Sequence, residues 1–236
     1  LSWKLEYPAA PEPSPVPVVD NHAHLDFRDG AVQLTPTEVM DAAATVNVVG
    51  AIQVATDLEA AKYTIDAIEQ EPRLRGALAI HPNETVRLAE QGKLDAAIDQ
   101  IAELAKHPSV VCIGETGLDY YRTEGQQNWD IQKYAFKRHI ELAVELDLAL
   151  QIHDREAHDD VITTLLSMDK LPEHVVFHSY SGDAEMAKIL KPSWHTERAS
   201  STAASVSAET DISCAVASKE PLAPCNEKDV SFMLST

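Results

Sequence analysis

Apolar residues along this chain gather into short, nearly unbroken runs, separated by longer stretches with helical spacing. The runs are 16–20, NVVGAIQVA (47–55), LRGALAIH (74–81), VVCIGE (110–115), LALQIH (148–153) and HVVFHS (174–179). Runs this short and this continuous are what parallel strands covered on both faces require. Between them, 57–70, 94–106, 127–146 and 157–168 read as helices. In the longest, Trp129, Phe136, Ile140, Ala143 and Val144 fall near one helical face. Another helix begins at Asp183, whose short carboxylate suits an N-cap. Six strand–helix repeats predict an α/β protein with a parallel sheet, either open or closed as a barrel.

The pattern has an edge at each end. Residues 8–17 hold five prolines, so 1–15 reads as an extended leader and 16–191 as the folded domain. After Lys191 the text changes. ASSTAASVSAETDISCAVAS (199–218) is rich in Ala and Ser, poor in large apolar residues and without strand–helix alternation. Residues 192–236 therefore read as an atypical, weakly specified or disordered tail. A complete barrel has eight βα units in about 250 residues, so the last two units are expected to be missing or distorted. A reading frame shifted near residue 192 would produce such text; an unusual native ending is the alternative. The first residue is Leu rather than Met, which fits a processed product or a fragment.

Composition narrows the function. Acidic residues outnumber basic ones 38 to 19, a formal charge of −19, which repels polyanions at long range. A broad, non-specific duplex-binding surface is excluded on that ground, whereas a local metal-lined pocket for a nucleotide or a strand end is not. No apolar run reaches the roughly 18 residues of a membrane span, and the start has no apolar core of a secretory signal. Neither a membrane nor an obligate protein partner is expected. Cys112, Cys214 and Cys225 match no zinc or redox spacing. Cys112, inside VVCIG, reads as a small buried residue, and a reducing cytoplasm is the simplest location.

The chemistry sits at the strand ends. His22 and His24 follow the first run, His81 the third, Glu115 the fourth, His153 the fifth and His178 the sixth. In parallel α/β folds the strand C-termini form the functional rim. Along an extended strand His22 and His24 point the same way, so both can reach one ion. Imidazole suits Zn²⁺ and other transition metals, while carboxylates bridge and favour Mg²⁺ or Mn²⁺. Four histidines and a glutamate exceed one tetrahedral ion's needs, so two divalent ions sharing Glu115 are expected, with identity open among Mg, Mn and Zn. His81 reads as a substrate-contacting or supporting residue. His107, His139, His158, His174 and His195 lie on helices or loops and read as surface or structural.

DNHAHLD (20–26), AIHPNE (79–84), IGETGLDYYR (113–122), LQIHDREAHDDVI (150–162) and FHSYSGDAEMA (177–187) together resemble the TatD family of metal-dependent hydrolases, in the family's order. The resemblance covers roughly residues 16–190. It implies a TIM-type (β/α) barrel of the metal-dependent hydrolase kind and hydrolysis of phosphodiesters, typically DNA from a strand end. By motif, His22 and His24 would hold one ion, His153 and His178 the other, and Glu115 would bridge. Asp119, Tyr120 and Tyr121 would lie near the mouth, and Asp154 and Arg155 would steady a ligand or contact a phosphate. The family's last motif supplies an aspartate ligand that also takes the proton of the attacking water. Here SAETDIS (207–213) offers Asp211, without the leading apolar strand or the following proline. The resemblance therefore implies a nuclease or phosphodiesterase acting on a DNA strand end or nucleotide. Hydrolysis of an ester, lactone or amide on the same scaffold, or an inactive truncated product, are the competing readings. The lack of an obvious lysine for carbamylation at a strand end leans against the amidohydrolase type.

Overall fold

The chain is described by a computed structural model at residues 9–27 and 34–190. The tail expected at 192–236, with Asp211, Cys214 and Cys225, lies outside the described residues, and so does the stretch in which the last two barrel units were expected to be missing or distorted. The described residues include six strands: β1 (Val18–Ala23), β2 (Val48–Val54), β3 (Leu74–Leu78), β4 (Val110–Asp119), β5 (Ala149–Arg155) and β6 (Val175–Phe177). They form one parallel sheet in sequence order.

The sheet curls. Neighbouring strands lie about 4.8 Å apart, so a flat sheet would hold β1 and β5 about 19 Å apart. Instead Gln151 of β5 donates to the Asn21 carbonyl of β1 at 2.9 Å, and its Oε1 lies 3.0 Å from His22 Nδ1. Among the described residues the result is a curled half-barrel, α/β in class, with helices on its outside.

Seven helices are described: α1 (Pro36–Ala44), α2 (Leu58–Gln70), α3 (Pro82–Glu90), α4 (Leu94–Leu104), α5 (Gln126–Leu146), α6 (His158–Leu166) and α7 (Ala184–Leu190). On α5, Phe136, Ile140 and Ala143 of the expected face are fully buried in one hydrophobic cluster with Leu74, Leu78, Leu150 and Ile152, while Trp129 and Val144 are only partly buried. Asp183 caps α7, its Oδ1 accepting the Met186 N–H at 2.9 Å.

Two helices go beyond the sequence reading. In α1, Thr35 and Glu38 form a reciprocal capping box around Pro36. In α3, Pro82 follows His81, and proline at the first helical position loses no hydrogen bond. Both segments lack an extended apolar stripe, which hid them from periodicity. β4 also runs on to Asp119, so Glu115 sits inside the strand. Its pairing with β5 shifts register after Ile113 and resumes at Thr116 opposite Ile152. Gly114 and the polar residues after it made the run look finished too early.

Candidate metal centre

Side chains on a strand alternate in direction, and the curl aims those of β1, β4 and β5 at one interior volume. At its centre lies Glu115, only 4% exposed. Its Oε2 is 3.5 Å from His22 Nε2 and 3.7 Å from His24 Nε2. Its Oε1 is 2.6 Å from His153 Nδ1 and 3.7 Å from His81 Nε2. A buried carboxylate facing four imidazoles is a donor set suited to divalent cations.

The hydrogen-bond network assigns the tautomers. His22 Nδ1 meets Gln151 Oε1 at 3.0 Å, and His24 Nδ1 meets the Val54 carbonyl at 2.9 Å. Both partners only accept, so each Nδ1 carries the proton and each Nε2 presents a bare lone pair. Those two Nε2 atoms are 3.1 Å apart. His178 stacks on His22 at 3.4 Å between ring centroids. This packing places His178 with His22 and Glu115 in one group of donor atoms, while His81, Glu115 and His153 form a second. The family pattern instead implies His178 beside His153.

His81 differs from the others. Its Nδ1 accepts the Asn83 N–H at 3.2 Å, capping α3. The proton therefore sits on Nε2, which faces the centre as a donor rather than as a lone pair. His153 is held at both ring nitrogens: Nδ1 by Glu115, and Nε2 by Asp119 Oδ2 at 3.1 Å. Asp119 is 1% exposed and also accepts from Asn83 Nδ2 at 3.2 Å and from the Arg122 N–H at 2.8 Å. A carboxylate behind a ligating imidazole fixes its tautomer and orientation.

Charge states follow. Burial alone would raise the Glu115 pKa, but the surrounding imidazoles, His153 first, outweigh it and hold the carboxylate ionised, well below the usual range. Burial would lower the His153 pKa, yet the hydrogen bond and charge of Glu115, with Asp119 behind, raise it. Burial first, then the neighbouring His22, lowers His24 and brings His178 down to about 4.

At the rim, the Arg155 guanidinium lies 4.0 Å over the exposed Tyr121 ring. Tyr120 turns away: it stacks on Trp129 and donates to Asp160 at 2.6 Å. Asp154 also faces away, its Oδ2 2.7 Å from His158 Nδ1.

The sequence reading did not single out Gln53, Asn83 or Gln151. Gln151 lies two residues before His153 on one strand, and that shared face was the available signal. Gln53 secures the turn after β1, accepting the Leu25 N–H at 2.6 Å and donating to Asp26 at 2.8 Å.

A curled parallel sheet with this histidine–glutamate centre on its inner face defines a metal-dependent-hydrolase type of scaffold. Residues 19–212 match the TatD related DNase family, and the chain belongs to it. A Mycobacterium tuberculosis protein named as an uncharacterized metal-dependent hydrolase TatD is 36% identical over 174 residues, 72% of this chain and 64% of the relative. A 3'-5' ssDNA/RNA exonuclease TatD from Musicola paradisiaca is 32% identical over 146 residues, 61% of this chain and 52% of the relative. Among solved structures, YJJV, a TatD homolog from Escherichia coli, superposes with a TM-score of 0.60 at 27% identity, covering 72% of this chain and 63% of that one. The chain thus spans less than two thirds of these relatives' length. Among the described residues no helix is long and apolar enough to cross a membrane.

Proposed function

We propose that this chain is a divalent-metal-dependent phosphodiesterase that releases nucleotides from a DNA strand end. The observation that carries the reading is Glu115, a buried carboxylate whose two oxygens face separate sets of imidazoles. Such a carboxylate is suited to serve two ions at once. The name of the Musicola relative, an exonuclease on single-stranded DNA and RNA, supports the substrate class. A reducing cytoplasm is the proposed location, since the three cysteines of the sequence match no zinc or redox spacing.

His22, His24, Glu115, His153 and His178 would hold the ions, with His22 and His24 offering Nε2 and His153 offering Nδ1. Bound ions supply Lewis acidity: they lower the pKa of a water and offset charge on the phosphoryl oxygens. The chain's own residues do the rest. His81 Nε2–H donates to a phosphoryl or leaving-group oxygen at the centre. Arg155, braced on Tyr121, adds a cation at the rim for a phosphate oxygen. Asp119 would hold a proton on His153 Nε2, so that Nδ1 can release its own when an ion binds. Asp211, outside the described residues, is the proposed acceptor of the water's proton.

The test is nucleotide release from a labelled single-stranded oligodeoxynucleotide with Mg²⁺ or Mn²⁺. Release is expected to stop with chelator and in His22→Ala and Glu115→Gln. Hydrolysis of a carboxylic ester or lactone, with no nucleotide released, would transfer the same centre to the competing reaction class.

A further inference from the structure

We infer that His139, a helix residue that touches no substrate, is a positioning residue for the metal centre: it pins the strand segments that carry His81 and Glu115. Its ring is fully buried on α5. Its Nε2 accepts the Ile80 N–H at 3.2 Å, and its Nδ1 lies 2.8 Å from the Ala135 carbonyl and 3.1 Å from Thr116 Oγ1. Ile80 directly precedes His81, and Thr116 directly follows Glu115. One imidazole therefore ties together the backbone entering one functional side chain and the residue leaving another.

The sheet explains why a side chain is needed there. β3 pairs with β4 only as far as Leu78 opposite Ile113. Beyond that point the β4 register shifts on its other side, between Ile113 and Thr116. Ile80, fully buried, lies past the end of the ladder, where no strand carbonyl takes its N–H. A buried N–H without an acceptor is costly. His139 supplies the acceptor, and its position on the long, well-packed α5 fixes where that acceptor stands. Burial lowers its pKa to about 4, so the ring stays neutral and Nε2 stays an acceptor near neutral pH.

The inference rests on the reading that Glu115 and its neighbours hold divalent ions. Its test compares wild type, His139→Gln and His139→Phe, with two measurements on the metal-free chain. Mn²⁺ affinity is taken by calorimetric titration, and exchange of the Ile80 amide by NMR, each beside a melting curve. Glutamine can place an oxygen near Nε2; phenylalanine fills the volume and accepts nothing. The expected result is near-native affinity and a protected Ile80 amide in His139→Gln. In His139→Phe, affinity is expected to fall about 10-fold or more, with faster exchange at Ile80. If His139→Phe does not fold, His139→Gln against His139→Leu carries the same comparison. Equal affinity in folded variants that do and do not offer an acceptor would overturn the inference and leave the metal reading standing. Failure of wild type to take up Mn²⁺ would overturn the metal reading and this inference with it.

Discussion

Replacing Asp119 with asparagine changes one atom of a buried side chain and tests whether the outer groups of the centre set its affinity. The carboxylate accepts from His153 Nε2, Asn83 Nδ2 and the Arg122 N–H. An amide has one oxygen for these three donors. If that oxygen stays with Arg122, its NH₂ faces His153 Nε2, which must then accept. The one remaining His153 proton then stays on Nδ1, where it donates to Glu115 2.6 Å away, and that nitrogen cannot offer an ion its lone pair. Outer-sphere replacements of this kind cost about 10–100-fold in metal affinity, or roughly 1.4–2.7 kcal/mol. Asp119→Ala goes further, leaving a buried imidazole N–H without a partner. The assay is calorimetric titration of Mn²⁺ into chelator-treated protein, with a melting curve of each metal-free variant. Folded variants that both bind Mn²⁺ within twofold of wild type would refute the reasoning.

Gly117 has φ +142°, and a Cβ there would clash with the His153 carbonyl oxygen, so Gly117→Ala should displace β5 at His153. A stability loss of about 1–3 kcal/mol is expected, read by urea titration, with Mn²⁺ affinity at least tenfold weaker by calorimetry. Glu71 is held down to about 2 by its hydrogen bonds with Arg73, against an opposing effect of burial. Its contribution, about 1–2 kcal/mol for a charged hydrogen-bonded pair partly open to solvent, is fully present above pH 4.5 and fades as pH falls toward 2. Glu71→Gln should flatten urea stability across that window, and an unchanged slope would count against it. Asp211→Asn should lower kcat at least about 100-fold with Mn²⁺ affinity largely kept; unchanged turnover would remove Asp211 from the reaction.

The inner strands β2 to β5 are largely buried and therefore hydrophobic on both faces, so they were visible as apolar runs; β1 and β6, only partly buried, were visible as shorter ones. The long helix α5 was visible for a related reason, because one stripe of it packs on the sheet. The short helices α1 and α3 are held by capping and by proline at the first position, devices that leave little periodic trace. In the centre, His22, His24, Glu115, His153 and His178 could be read as strand-end donors. Their tautomers could not, because those depend on partners such as the Val54 carbonyl and Gln151, distant in sequence and brought near by the curl. His139 read only as surface or structural. Its link to Ile80 spans 59 residues and concerns a backbone N–H, which no side-chain pattern reports.

Gln151 reaches from the fifth strand to the first, joining residues 129 apart in the chain. An ion gripped by His22, Glu115 and His178 would fasten the same span from the inside, like a removable rivet between the opening and the close of the sheet. Uptake would then be linked to folding: cation at one hundred times its dissociation constant adds about 2.7 kcal/mol to the folded state. Chelation would withdraw that increment where β1 meets the later strands, while the tightly packed middle strands keep their own support. The ion would be as much a part of this curled sheet's architecture as of its chemistry.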